Sequence, residues 1–183
     1  MDHALEGCEQ MEPTACRIQI TDYDPRWPEF FRDERDRIRA VLGPYALEID
    51  HVGSTAVPGL PAKPILDIVL TVQDSTDEDT YMSALQTIGY ALRHREPTWH
   101  EHRMLRKSRP EINLHVFSYR CTEIDRMRLL RDWLRRNACD RELYARTKLA
   151  LAQQEWKDVQ DYADAKTSVI TEIIERAQLG SDQ

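Results

Sequence analysis

Basic residues are in short supply. The 183-residue chain sets 25 Lys and Arg against 32 Asp and Glu, a formal charge of −7, whereas a protein that covers a nucleic-acid backbone needs a basic excess on the covering face. No extended nucleic-acid footprint is expected, although a small basic pocket is compatible with this balance. Long apolar runs are missing too: none approaches the roughly 20 residues of a membrane span. The N-terminus, Met1-Asp-His-Ala-Leu-Glu, carries acid where a secretory signal carries base, so the expected location is the cytoplasm. Cys8, Cys16, Cys121 and Cys139 form no Cys-x-x-Cys pair and are irregularly spaced, which predicts reduced thiols acting as small buried hydrophobes. There is no low-complexity tract. Glycine and proline are absent between Asp140 and Leu179, which makes the last third helical in pattern and leaves its helix boundaries unmarked.

What is present suffices for a core. A hydrophobic fraction of 41% over this length predicts one globular domain over residues 17–180, preceded by a polar, acidic, mobile lead-in over 1–16. Asp24-Pro25 reads as an N-cap and first helical residue, with Trp27, Phe30, Phe31, Ile38, Val41 and Leu42 as the apolar face up to Gly43-Pro44. From Ala46 the period is two, so Leu47, Ile49 and His51 share one strand face. Ile65 to Val72 is apolar on both faces except for Asp67, the pattern of a central, doubly covered strand. Ser75 or Thr76 is expected to cap a helix carrying Tyr81, Leu85 and Ile88 and closed by Gly89. Strands over 99–107 and 112–119 follow, the second with Asn113, His115 and Phe117 on one face. Thr122-x-x-Asp125 resembles a capping box, and Asp140 is expected to cap the next helix.

Function is argued from one stretch, His51-Val-Gly-Ser-Thr-Ala-Val-Pro-Gly-Leu-Pro-Ala-Lys-Pro-Ile-Leu-Asp67. Gly53-Ser54 ends a strand, and twelve residues separate Ser54 from an aspartate on the next strand, the spacing of nucleotidyltransferase folds. Glycine lets backbone approach a phosphate, the serine hydroxyl donates to it, and a strand carboxylate holds a metal that bridges phosphates. A tight turn with Ser54 satisfying local backbone groups is the simpler alternative. Such sites use a second acid two residues on, to clamp two ions, and here that position is Val69. Asp67 with His115, His51 or both is then the candidate set for a single metal, against a reading of the histidines as satisfied core residues. Lys63, stiffened by Pro64, is a phosphate-facing candidate. Residues 93–109 are locally basic, and Arg103 is selected among them because its strand face carries Leu105.

These residues lie in a longer series of motifs: Tyr23-Asp-Pro-Arg-Trp27, His51 to Leu60, Ala62-Lys-Pro-Ile-Leu-Asp-Ile68, Gly89-Tyr90, Asn113-Leu-His-Val-Phe117, Leu130 to Arg135, and the repeated spacing Tyr144-x-x-x-Lys148 and Tyr162-x-x-x-Lys166. The series resembles the GrpB family, found alone or fused to dephospho-coenzyme A kinase, and covers nearly everything after residue 17. The resemblance implies an α+β, nucleotidyltransferase-like fold: a mixed β-sheet flanked by helices, with a helical C-terminal third. It also implies recurring polar positions at Gly53, Ser54, Lys63, Asp67, His115, Lys148 and Lys166. The expected activity is binding of a nucleotide or phosphorylated small molecule and metal-dependent nucleotidyl transfer to an acceptor that the sequence does not name, with Asp67, His115 and Lys166 as catalytic candidates and Gly53, Ser54, Lys63, Arg103 and Lys148 as binding candidates. Mg or Mn with a nucleoside triphosphate is the expected cofactor. A regulatory module that binds without turnover stands as the alternative, and Val69 favours it.

Overall fold

The computed structural model describes residues 17–181; the expected lead-in, with Cys8 and Cys16, lies outside the described residues. The elements in order are α1 (Trp27–Leu42), β1 (Glu48–Val52), β2 (Leu66–Val72), α2 (Met82–Thr87), β3 (Ala91–Glu96), β4 (His102–Ser108), β5 (Glu111–Ser118), α3 (Thr122–Arg136), α4 (Ala138–Ala152), α5 (Val159–Asp164) and α6 (Thr167–Ser181). The strands form a five-stranded sheet in the order β1-β2-β5-β4-β3. Only β2 and β5 run parallel; the other neighbours are antiparallel.

Strand alternation sorts this sheet into two faces with different tasks. On the first, Ile49 of β1, Ile68 and Leu70 of β2, Leu105 of β4 and Leu114 and Val116 of β5 pack in one core with Trp27, Ile38 and Leu42 of α1 and Leu85 of α2. Each such side chain contributes about 1.5–3 kcal/mol on burial, and a one-residue slip of β2 would transfer its whole set to the other face. Burial therefore fixes the register. On the second face, Asp67 of β2 pairs across with Val52 and Asn113, and Val69 with Asp50 and His115. Val52, Val69 and Phe117 of this face pack with Ile124 of α3. The segment after β1 is anchored separately, since Val57 and Leu60 are buried with Leu134, Tyr144, Val169 and Ile173 of the helical third.

Several local expectations need correction, each for a hydrogen-bonding reason. Helix α1 begins at Trp27 with Pro28 in its first turn, because the Asp24 carboxylate is taken by the Arg26 backbone and guanidinium. Neither Ser75 nor Thr76 caps α2. The Ser75 hydroxyl donates to Glu101 O, Thr76 is turned onto Asp74, and a 3-10 turn at Glu78–Thr80 intervenes before a helix of six residues. Thr122 is the first residue of α3, whose N-cap is Cys121 with no side-chain bond, so the capping box does not form. At α4 the cap is Asn137, which accepts from Asp140 N; Asp140 instead accepts from Trp133 Nε1 and Arg176. Strand β3 was not anticipated, since it is a polar edge strand with a bulge between Leu92 and His94 and offers no apolar alternation to read. Trp99, expected in a strand, lies in the turn before β4. Cys121 and Cys139 are free thiols, and Cys139 is exposed rather than buried.

Candidate functional site

Beyond Val52 the chain turns on Gly53 at φ 68° and ψ −169°, a backbone region that only glycine occupies at ease. A Cβ there would stand 2.5 Å from Asp67 Oδ2, so glycine also provides the room for the loop to lie against the carboxylate. The other carboxylate oxygen, Oδ1, accepts from Asn113 Nδ2 at 2.9 Å and faces His115 Nε2 at 3.7 Å. Burial raises the Asp67 carboxyl pKa, but the His115 ring, the Asn113 amide and the Lys166 ammonium together outweigh it and hold the group below its ordinary value. Asp67 is thus ionised, and its side chain keeps 34% of its surface open.

Two lysines meet this carboxylate from the helical third, and a third, Lys63, stands nearby on the loop. Lys148 of α4, only 2% exposed, donates to Ser54 Oγ at 2.9 Å and to Pro61 O, and stands 4.8 Å from the Tyr144 ring centroid. Lys166, in the turn between α5 and α6, lies 4.5 Å from the Tyr162 ring centroid, which Lys63 approaches from the loop at 5.3 Å. The Tyr-x-x-x-Lys spacing therefore seats each ammonium on an aromatic face. Burial, then repulsion from Lys166, pushes the Lys148 pKa down to about 7 against a partial pull from Asp67. Burial, then Lys63, brings Lys166 down to about 8. Lys148 and Lys166 so share one carboxylate in a half-enclosed space, with Lys63 beside Lys166.

Two cavities open onto that space. The larger, about 750 Å³, is walled by Lys63, Lys148, Tyr162, Met104, Arg106 and Asn113; the smaller, about 300 Å³, by Met127, Leu130 and Leu134 of α3, Ile170 and Ile174 of α6, and Arg126. Ser54, Asp67, His115 and Lys166 line both. The shared polar residues thus stand at the junction of the two cavities.

A family model described as GrpB protein matches residues 17–176. The chain belongs to the GrpB family. It is 56% identical to a UPF0157 protein of Halalkalibacterium halodurans over 92% of this chain and 86% of that one. A segment covering 40% of the chain is 37% identical to 19% of a dephospho-CoA kinase of Mycolicibacterium paratuberculosis. Among solved structures, the conserved protein GrpB from Enterococcus faecalis superposes with a TM-score of 0.79 at 29% identity, covering 90% of this chain and all (100%) of that one. The Cid1 poly(U) polymerase, solved with Mg and 3′-dATP bound, superposes with a TM-score of 0.51 at 15% identity over 72% of this chain and 42% of its own. That likeness concerns the fold, which is nucleotidyltransferase-like as the motif series implied.

Within this GrpB-family site, Gly53, Ser54, Lys63, Asp67, His115, Lys148 and Lys166 come together. Arg103 does not. It lies on the Leu105 face of β4, which is the helix-covered core face, and donates to Glu78 Oε1 at 2.7 Å and to Glu101 O. His51 is likewise on the core face: it is stacked on Phe31, hydrogen-bonded to Thr55 Oγ1 at 3.0 Å, and brought down by burial to a pKa of about 4. It cannot join Asp67 and His115 across the sheet. Among the described residues no three His, Cys, Asp or Glu side chains converge closely enough to hold a metal, and Val69 is wholly buried, so the residues present do not fit a two-ion clamp. The sequence reading also missed His102 and Glu96. His102 Nδ1 stands 2.6 Å from Glu96 Oε2, and His102 Nε2 stands 3.1 Å from His115 Nδ1. For His102 a signal was available in the period of β4, where it has the parity opposite to Leu105; for Glu96, on β3, there was none. Among the described residues no helix is long and apolar enough to cross a membrane.

Proposed function

We propose that this chain binds a nucleotide or another phosphorylated small molecule at the cavity junction. Lys63, Lys148 and Lys166 take up phosphate charge, while Gly53 and Ser54 bring backbone and hydroxyl close to it. The observation that carries this reading is the convergence of buried Lys148 and half-buried Lys166, with pKa values depressed to about 7 and 8, beside a single carboxylate at the cavity junction. Enclosed cations that repel one another cost free energy until an anion joins them, and a polyphosphate supplies that anion. A Mg or Mn ion in this reading enters with the phosphates of a nucleoside triphosphate, as such ions ordinarily do, and not from a protein cage.

Nucleotidyl transfer to an acceptor is the enzymatic form of the proposal. Val69, where a second acid would stand, favours the other form, a regulatory module that binds without turnover. Calorimetry with nucleoside triphosphates, with and without Mg or Mn, tests binding. A pyrophosphate-release assay over acceptors bearing hydroxyl or amino groups separates the two forms: release supports the enzyme, and stabilisation by ligand without release supports the module.

A further inference from the structure

Leu130 and Leu134 of α3 pack in one cluster with Ile170 and Ile173 of α6, yet the two helices leave the cavity of about 300 Å³ between themselves and the sheet. On the helix side Leu130, Leu134, Ile170 and Ile174 offer a water no hydrogen bond, so this wall suits an apolar occupant. The charged groups of the cavity, beyond the four residues it shares with its neighbour, are paired within the chain. Arg126 donates to Glu123 at 3.0 Å, and Arg131 to Asp132 at 2.7 Å and to His51 O at 3.0 Å. The larger cavity differs: Lys63, Lys148 and Lys166 all line it, and of these three only Lys166 also lines the smaller. An anionic group is therefore drawn to one side of the junction and an uncharged, apolar group to the other.

We propose that the smaller cavity receives an alkyl or aryl group carried by the phosphorylated ligand, so that attaching such a group to a phosphate raises its affinity. The phosphate end rests on the function proposed above; the apolar end rests on the walls that α3 and α6 supply. Ser54, Asp67, His115 and Lys166 line both spaces, so an ester oxygen placed among them joins the two parts without crossing a wall. At about 300 Å³ the space is twice the roughly 150 Å³ of an apolar cavity that takes up benzene. That size admits a short branched chain or a single substituted ring.

Two methionines read the two spaces separately, since Met127 lines the smaller cavity and Met104 the larger. The test is carbon–proton NMR of full-length protein labelled at its methionine methyls, assigned with Met127→Leu and Met104→Leu, and titrated with inorganic phosphate, n-hexanol and n-hexyl phosphate. Hexanol should shift Met127 alone, phosphate Met104 alone, and hexyl phosphate both. Met82 of α2, packed in the core on the other sheet face, should stay still throughout. Hexyl phosphate should bind about 10–100-fold tighter than phosphate, the range for burying one apolar side chain. Leu130→Phe and, separately, Ile170→Phe narrow the space and should cut that advantage to below about threefold. A Met127 methyl that ignores hexyl phosphate, no gain over phosphate, or a gain untouched in both variants overturns the proposal. The phosphate reading fails by a different sign: Met104 ignores phosphate while Met127 still follows hexanol, which leaves the apolar end standing.

Discussion

Gly53 lies against the carboxylate of Asp67, so close that a Cβ at position 53 would stand 2.5 Å from Oδ2. The loop after β1 and the acid of β2 are therefore one unit. Gly53→Ala places a side chain at φ 68° as well as in that gap, and the two effects together should destabilise the fold by about 1–3 kcal/mol. Urea unfolding checks the cost. The same variant should lose ligand binding, because Asp67 must swing away from Asn113 to make room.

Lys148 is expected to be the most sensitive of the lysines. It is held by Ser54 and Pro61 and has nowhere else to go. Lys148→Met should weaken triphosphate binding by about 10–100-fold, the range of one charge-assisted hydrogen bond. Arg103→Met should leave affinity unchanged, since Arg103 serves Glu78 on the other face. Parallel titrations decide both.

Lys107 and Glu34 make a buried pair on the core face, Nζ to Oε1 at 2.7 Å and to Oε2 at 2.9 Å. Lys107→Met alone strands a carboxylate that is 1% exposed and should cost about 3–5 kcal/mol. The double change Glu34→Leu with Lys107→Met should recover most of that loss. Denaturation of the single and double variants shows whether this pair stabilises the fold only in combination.

These residues show which parts of the site the sequence could disclose. Asp67 stood out because one charge in an apolar strand needs a reason, and Gly53-Ser54 because of their distance from it. Lys148 and Lys166 were visible through the repeated Tyr-x-x-x-Lys spacing and the family resemblance, but their convergence depends on how α4 and α5 fold back onto the sheet. The basic stretch 93–109 was illegible for another reason: Arg103, Arg106 and Lys107 look alike in sequence. Alternation about Leu105 divides them, sending Arg103 and Lys107 to the core face and Arg106 to the cavity, but only once Leu105 is known to lie under α1 and α2. Glu96 was hidden by the polar edge strand that pairs it with His102.

Lys148 also makes stability depend on pH. Below about 7 it is charged in both the folded and the unfolded chain, and the cost of burying it is fully present. As pH rises from about 7 towards the ordinary lysine value of 10.5, the folded chain sheds the proton first and that cost is relieved. The stability of the wild type relative to Lys148→Met should therefore increase with pH over this window. Urea midpoints at several pH values give the slope, and a flat difference would remove the buried-lysine account.

The most direct measurement is calorimetry of ATP binding, with and without Mg, in buffers of differing ionisation enthalpy. A phosphate that joins Lys148 and Lys166 raises their pKa values from about 7 and 8, so binding should take up protons at about pH 8 and much less at about pH 6, with affinity falling as pH rises. Absence of binding across the common nucleoside triphosphates, or binding that releases protons at about pH 8, would contradict the account.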